Sequence, residues 1–336
     1  MRIVYVTPHY VPVVGGAELH VQALAEHHAA RGHKVTIFTQ RTSDAVTGAV
    51  DPSLPEEEDI GAVKVIRFGP DEALRRRLNR FLKLRGAWRL ARSFLSAEQM
   101  GALFEGPLLT GHVLRALWAR PHVITTVNWG FAGFVLPFYL ARRLLRAPIV
   151  GMPLLHTEIP WTESQATMDM IAGSDAILAN TEHEVRFCGA RGFPSNRMYV
   201  CGAGADPTAF SNPDGRRLRA RHGLGDGPVV GYVGRMQVDK GVPLLIEAMR
   251  LVWRSNPRVR LLLAGRDLPS ATHDHEAFHA ALGGLDPRTV RVSFTSTASP
   301  RRTRRRSSRP ATSTRCRRSA TRSVRRFSRR GCAVGP

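Results

Sequence analysis

The sequence predicts an α/β protein of two domains, each with a parallel sheet covered by helices. The first observation is a strand–loop–helix–strand pattern, with a buried strand at 3–7, helical apolar spacing over 17–31 and another strand at 35–39. Strands and helices that alternate in this way form βαβ units and build parallel sheets. The second is that the alternation begins again at residue 228. The third is the length of 336 residues, which accommodates about two domains.

In the first half, the strand at 3–7 leads into a loop at 8–16. The helix that follows is expected to end at Gly32, because glycine adopts the left-handed conformation at little cost. The apolar run 129–141 is shorter than the ~20 residues of a membrane-spanning helix and is interpreted as a core helix. The other strands predicted for this half are 63–68, 122–127, 149–155, 176–179 and 198–200.

The second half repeats the pattern on a smaller scale. A strand at 229–233 is followed by the loop 234–241, and a helix begins near Val242 with Pro243 in its first turn, where the missing N–H costs nothing. The next strand is predicted at 260–264, so this half has two or three strands and is incomplete. We therefore expect two facing Rossmann-like domains. Their predicted bounds are 1–206, a linker at 207–227, a partial domain at 228–294 and a tail at 295–336.

The tail accounts for most of the net charge of +22. It holds 14 arginines and no lysine, aspartate or glutamate, whereas the other 294 residues hold 35 basic and 27 acidic residues. The whole-chain charge is therefore a poor indicator of nucleic-acid binding. The tail has no hydrophobic period, so it cannot bury enough apolar surface to offset its ordering entropy, and we predict that it is disordered.

The cysteine pattern and the start of the chain indicate a reducing compartment. No two of Cys188, Cys201, Cys316 and Cys332 have CxxC spacing, so neither a zinc site nor a disulfide framework is predicted. Met1 and Arg2 lead directly into a short strand, and we expect no signal peptide. A cytoplasmic location is expected, with peripheral attachment to the inner face of the membrane as an open alternative.

Two loops carry residues suited to binding a diphosphate. Gly15 and Gly16 precede the first helix, where close backbone approach and free N–H groups favour an anion. The alternative is a plain tight turn, and the sequence has no GxGxxG motif for a dinucleotide.

The second loop opens with Gly234, closes with Gly241 and contains Arg235 and Lys240. Two cations at the carboxyl end of a strand are placed to neutralise a leaving diphosphate. The alternative is that both are solvated surface charges.

One histidine stands out. His156 follows an apolar strand and is expected to point into the cleft between the domains, although a purely structural role is an equal alternative. The pairs His27–His28 and His273/His275 are interpreted as surface residues, and no histidine group shows metal-ligand spacing, so no metal site is predicted.

Several motifs occur in a specific order and spacing: GGAE at 15–18, LLH at 154–156, DAILANTEHE at 175–184, GAD at 204–206 followed by Phe210, and GYVGRMQVDKG at 231–241. Taken together, these motifs resemble the retaining family 4 glycosyltransferases, and the resemblance covers about residues 1–292. It implies the GT-B fold, transfer of a sugar from a nucleotide-diphosphate sugar with retained anomeric configuration, and no essential metal ion or other cofactor.

The resemblance also implies roles for individual residues. Gly16 resembles the glycine beside the donor diphosphate, Arg235 and Lys240 the pair that neutralises it, and His156 the histidine near the donor sugar. Asp206 matches the aspartate of an Asn-Gly-x-Asp turn, but Ala203 replaces the asparagine. The family's two donor-binding glutamates have no counterpart, because the chain has no acidic residue after Asp286.

A reading-frame shift would explain this loss. Codons that encode residues 312–318 can be written so that a shifted phase gives Asp-Val-Tyr-Ala-Val-Pro-Ser, similar to the family's strand before the glutamate motif. The nucleotide sequence tests this hypothesis: the motif must occur in another frame. The competing interpretation is a basic arm for nucleic acid, which is disfavoured because Phe327 is its only aromatic residue.

A basic segment at 72–95 is the candidate contact with an anionic membrane surface. Apolar residues recur there at helical spacing among many arginines, a pattern typical of interfacial helices. A domain helix with a solvated basic side is an equal alternative. The candidate membrane-contacting residues are Arg75, Arg76, Arg77, Phe81 and Trp88.

The sequence thus leaves three functional hypotheses. The first is a glycosyltransferase that uses a nucleotide-sugar donor and an acceptor such as a glycolipid, polysaccharide or glycoside. The second is an impaired remnant that lacks the acidic donor-binding motif, and the third, least favoured, is a basic-tailed nucleic-acid binder.

Overall fold

The computed structural model describes residues 1–44, 49–69, 80, 93, 110–157, 160–205, 207–211, 213–267, 273–286 and 289–294. All of them lie in one compact unit, Met1–Thr297. The predicted membrane-contacting residues, Asp206 and the tail at 295–336 lie outside the described residues. Within the described part of the chain, no helix has both the length and the apolar character needed to cross a membrane.

An eight-stranded sheet forms the first half, in the order β3-β4-β2-β1-β5-β6-β7-β8. The strands pair in parallel except at one edge, where β3 runs antiparallel to β4. Ile3 of β1 lies between Val35 of β2 and Val123 of β5, so the strand order reverses direction at β1. The strands are β1 (Arg2–Val6), β2 (Lys34–Gln40), β3 (Glu57–Ile60), β4 (Val63–Phe68), β5 (Val123–Val127), β6 (Ile149–Met152), β7 (Ala176–Ala179) and β8 (Met198–Val200).

Helices cover both faces of this sheet and enclose two hydrophobic clusters. Trp129, Phe134 and Phe138 are fully buried in the larger cluster, and Tyr5 and Val21 in the smaller. The predicted core helix is confirmed as α3, most of whose residues are buried. The helices are α1 (Gly16–Ala30), α2 (Thr110–Ala119), α3 (Ala132–Leu140), α4 (Arg142–Leu145), α5 (Gln165–Gly173) and α6 (Glu182–Ala190).

A second, three-stranded parallel sheet has the order β11-β10-β9. Met236, Ile246 and Phe278 are buried in the core between this sheet and its helices. The residue before the helix that follows β9 is Gly241, whose φ of +72° is the left-handed conformation that favours glycine. The elements are α7 (Gly215–His222), β9 (Val229–Val233), α8 (Val242–Ser255), β10 (Arg260–Gly265), α9 (His273–Leu282) and β11 (Val290–Phe294).

The α/β class with largely parallel sheets is therefore as predicted, with differences at particular elements. Strand β6 ends at Met152 rather than at residue 155, because Pro153 cannot donate a ladder hydrogen bond. The segment 207–227, predicted as a linker, contains α7, which Asp214 caps by accepting a hydrogen bond from the Arg217 N–H. The domain bounds themselves remain a prediction.

Candidate active site

The candidate site lies where the carboxyl ends of β1 and β5 meet. His9 follows β1, Phe131 follows β5, and their rings make an edge-to-face contact with centroids 4.6 Å apart. The strand order reverses between these two strands, and ligands of open α/β sheets bind in the crevice at such a reversal. The loop that carries the predicted glycines therefore borders the expected crevice.

The glycine loop leaves open space in front of α1. Gly15 is the residue before the helix and has no side chain to cap it, but the Glu18 carboxylate accepts a hydrogen bond from its own backbone N–H in the first turn, and a Cβ added to Gly15 would lie 2.3 Å from the Glu18 Oε2. A Cβ added to Gly16 would meet no heavy atom within 4 Å, so neither packing nor a left-handed backbone explains this glycine. The first N–H groups of a helix attract anions. The space beside Gly16 therefore suits an anionic group of a ligand.

Two buried polar residues stand beside this loop, and the sequence analysis gave neither of them a role. The His9 Nδ1 lies 3.8 Å from the Glu18 Oε1, and both residues are buried. Burial lowers the pKa of His9 to about 4 and raises the pKa of Glu18, an effect opposed first by a hydrogen bond from the Glu18 backbone N–H and then by the charge of Arg235. Among the described residues, the buried His9 Nε2 has no hydrogen-bond partner. A neutral imidazole with a buried, unpaired nitrogen therefore lies beside the glycine loop.

The buried His9 makes stability depend on pH. Because its folded pKa of about 4 lies below the ordinary value of 6.5, the unfolded chain binds the proton more readily, and stability falls as the pH drops from 6.5 to 4. We expect this residue alone to cost about 2 kcal/mol between pH 7 and pH 5. Urea denaturation at both values should show that His9→Asn loses this part of the pH dependence, whereas His222→Asn retains it. Equal pH dependence in His9→Asn and the parent would contradict the assignment.

The loop 234–241, which carries Arg235 and Lys240 and is called the cationic loop below, is anchored to the core of the second sheet. Met236 is fully buried, and its N–H donates to the Arg266 carbonyl at 2.9 Å. The Tyr232 hydroxyl donates to the Arg235 carbonyl at 2.7 Å. A Cβ added to Gly265 would lie 1.6 Å from the Gly234 carbonyl oxygen, so the ends of β9 and β10 touch through their backbones. The loop that presents the predicted cations therefore has a fixed base.

The two predicted cations are exposed but differ in their surroundings. The charge of Arg235 acts to lower the pKa of the Glu18 carboxyl, whose net shift is upward. Lys240 forms an ion pair with Asp239, with Nζ and Oδ2 3.1 Å apart. Arg235 therefore acts electrostatically on a residue of α1, and Lys240 lies at the other end of the same loop.

A second contact joins the two sheets. The Arg266 Nη2, just after β10, lies 3.3 Å from the Asp44 Oδ1, which belongs to the segment after β2. Both side chains are partly buried, so the pair is less screened than an open surface pair. This contact therefore joins the segment after β2 to the end of β10.

His156 lies on a loop with a constrained backbone. It is exposed, four residues after β6, and its carbonyl accepts a hydrogen bond from the Thr162 hydroxyl at 2.7 Å. Leu154 has a φ of +49°, a left-handed conformation that costs free energy for a branched residue. Within the described residues, no hydrogen bond or ion pair joins the His156 ring to Arg235 or Lys240.

Glu184 fixes this loop, and the sequence analysis did not assign it that role. Its buried carboxylate accepts hydrogen bonds from the Leu155 N–H at 2.6 Å and from the Asn180 N–H. It therefore ties the loops after β6 and β7 together. Strained backbone held in place by a buried side chain is common at functional sites.

Several known proteins are similar in sequence to most of this chain. Residues 15–204 match the Glycosyl transferase 4-like domain. D-inositol 3-phosphate glycosyltransferases of Stackebrandtia nassauensis and Kineococcus radiotolerans are 28% identical over 306 residues and 26% identical over 284 residues. Each alignment covers 81% of this chain but only 62% and 61% of the relatives, so the chain spans less than two thirds of their length.

A mannosyltransferase matches a shorter stretch of this chain. The GDP-mannose-dependent alpha-(1-6)-phosphatidylinositol monomannoside mannosyltransferase of Mycolicibacterium smegmatis is 34% identical over 152 residues, which are 43% of this chain and 39% of that protein.

Solved structures share the fold at low sequence identity. Anabaena Alr3699/HepE in complex with UDP and glucose has a TM-score of 0.59 and 18% identity, covering 88% of this chain and 70% of that one. The catalytic domain of starch synthase IV from Arabidopsis thaliana, bound to ADP and acarbose, has a TM-score of 0.58 and 16% identity, covering 88% and 74%. These likenesses establish the GT-B type of fold. The family match spans more than half of the residues of this chain. The chain therefore belongs to the Glycosyl transferase 4-like domain family.

Proposed function

We propose that this protein transfers a sugar from a nucleotide-diphosphate sugar to an acceptor, with retention of the anomeric configuration. The observation that supports the proposal is the open space beside Gly16 at the N-terminus of α1, together with the positive charge of Arg235, which acts on the Glu18 carboxyl of the same helix. A helix N-terminus and a guanidinium together provide N–H donors and positive charge for a diphosphate.

The chemistry of transfer explains why cations are needed there. When the bond between the anomeric carbon and the diphosphate oxygen breaks, negative charge grows on the leaving diphosphate. Fixed positive groups that contact this charge lower the barrier. In the proposal, Arg235 and Lys240 contact the leaving diphosphate and the helix N-terminus beside Gly16 holds it, while His156 faces the sugar.

The relatives' names support a nucleotide-sugar donor and a polyol acceptor. One acts on D-inositol 3-phosphate, and another uses GDP-mannose and a phosphatidylinositol monomannoside. We extend this to an acceptor with sugar or cyclitol hydroxyls, soluble or lipid-linked. For the lipid-linked case, the protein would work at the inner face of the membrane.

A second candidate function is an impaired relative that binds a donor weakly or not at all. Two observations favour it: the described part of the second sheet has three strands, and the chain has no acidic residue after Asp286. The family's donor-binding glutamates therefore have no counterpart in this sequence.

Calorimetry with UDP, GDP, UDP-glucose and GDP-mannose tests the proposal and separates the two candidates. We expect either UDP and UDP-glucose or GDP and GDP-mannose to bind at a single site. Gly16→Ala should weaken that binding about tenfold, which corresponds to the loss of about 1.4 kcal/mol, because the new methyl group occupies the space at the helix N-terminus. Its Tm should not fall, since the added Cβ meets no protein atom within 4 Å.

Three outcomes are informative. Binding that Gly16→Ala weakens supports the transferase, and NMR of the product's anomeric proton then tests retention. Absence of binding to all four compounds favours the impaired relative. Tight binding unaffected by Gly16→Ala would place the diphosphate elsewhere.

A further inference from the structure

Three potential metal ligands meet at the carboxyl end of β10, outside the site described above. Asp267 lies two residues after β10, and His275 and His279 lie on α9. The His275 Nδ1 is 3.2 Å from the Asp267 Oδ1, and the His279 Nε2 is 2.8 Å from the Asp267 Oδ2. The three ligand atoms all lie within 4.8 Å of one another. Both imidazoles therefore point a nitrogen at one carboxylate.

We propose that Asp267, His275 and His279 form a binding site for a divalent transition-metal ion of the Zn²⁺ class. The two histidines are four residues apart, one turn of α9, so they lie on the same face of the helix. Two imidazole nitrogens and one carboxylate oxygen suit Zn²⁺ and its neighbours rather than Mg²⁺ or Ca²⁺, which prefer oxygen ligands alone.

The spacing of the ligand atoms fits such an ion with small adjustments. Zn²⁺ binds nitrogen and oxygen at about 2.0–2.2 Å, so tetrahedral ligands are about 3.4 Å apart. The His275 Nδ1–Oδ1 distance of 3.2 Å is close to this value, whereas the His279 Nε2 contacts the other oxygen, Oδ2, at 2.8 Å, so the carboxylate must rotate to present one oxygen to the ion. Side-chain exposure is 22% for Asp267 and His275 and 43% for His279, so an ion can enter from solvent and water can complete its coordination.

The bound ion would connect α9 to the end of β10, next to the cationic loop. Asp274, beside His275, accepts a hydrogen bond from the Val238 N–H at 2.8 Å. Arg266, beside Asp267, accepts from the Met236 N–H. An ion bound here would therefore lie beside the base of the loop that carries Arg235 and Lys240. It does not depend on the proposed transfer reaction, for which the family resemblance implies no essential metal ion.

Zinc titration of the full-length protein, prepared without a histidine tag and treated with EDTA, tests the site. We expect one equivalent of Zn²⁺ to bind and to raise the Tm by about 5 °C at a zinc concentration about a hundred times Kd. Co²⁺ should give the visible absorption of a four-coordinate site. His275→Ala and His279→Ala should each weaken binding at least about 100-fold, because loss of an outer-shell partner alone costs 10–100-fold.

His222→Ala, on α7 beside the same sheet, serves as the matched control and should bind Zn²⁺ as the parent does. Circular dichroism in EDTA checks that each variant is folded, and Asp267→Asn provides a variant that keeps both histidines. Absence of stoichiometric zinc binding would overturn the proposal. Parent-like binding by His275→Ala and His279→Ala would overturn it as well, since the ion would then occupy other residues.

Discussion

Lys240→Ala should lower the turnover of the proposed transfer reaction by about 100-fold or more, the usual effect of removing one group that stabilises transition-state charge. The ammonium lies at the end of the cationic loop, and its pairing with Asp239 must give way when the diphosphate binds. Affinity for the free nucleotide diphosphate should fall by about tenfold, because one charge-assisted contact is lost. Steady-state kinetics and calorimetry measure the two effects separately.

The matched control removes the same charge from the other end of α8. Arg254 is exposed in the last turn of the helix, whereas Lys240 precedes its first turn. Arg254→Ala should therefore leave both turnover and affinity near the parent values. Full activity of Lys240→Ala, or an equal loss in Arg254→Ala, would refute a specific role for the lysine.

Gly265→Ala should destabilise the protein by at least about 3 kcal/mol, as expected where a side chain is forced into a strained backbone and an overpacked contact. Gly265 has a φ of +157°, and its new Cβ would lie 1.6 Å from the Gly234 carbonyl oxygen. The ends of β9 and β10 would have to separate. Urea denaturation, followed by circular dichroism, measures the change in the free energy of unfolding.

Gly225→Ala separates backbone strain from the close approach. Gly225 also has a positive φ, +63°, but its Cβ would meet nothing within 4 Å. This variant should lose only about 1–2 kcal/mol, the cost of a left-handed non-glycine residue. Similar losses in the two variants would show that contact between the strand ends contributes little.

The elements that sequence predicts best are those that show a hydrophobic period and clear end signals. The sequence predicts strand β1 and helix α1 each to within one residue. A short apolar run marks the strand, and helical apolar spacing followed by Gly32 marks the helix. Strand β3 was not predicted: its sequence, Glu-Glu-Asp-Ile, lacks apolar alternation, and it forms by pairing with β4 at the sheet edge. Tertiary pairing decides such a strand, and local sequence does not show it.

The residues of the candidate site also differ in whether the sequence predicts them. Gly16, Arg235 and Lys240 were predicted from sequence because glycines and cations sit in loops between predicted elements, and their roles stay predictions. His9 and Glu184 were not, because their roles depend on burial and on contacts between distant loops. The metal-ligand group was also not predicted, since Asp267 and His279 become neighbours only when β10 and α9 pack together.

The ion pair between Asp44 and Arg266 has a consequence for folding kinetics. Its two residues are separated by 222 positions in the chain, so the bond closes a long loop. Contacts between residues far apart in the sequence raise the contact order, and a higher contact order slows folding because loop-closure entropy must be lost first. This ion pair is therefore one of the contacts that make the native arrangement slow to reach.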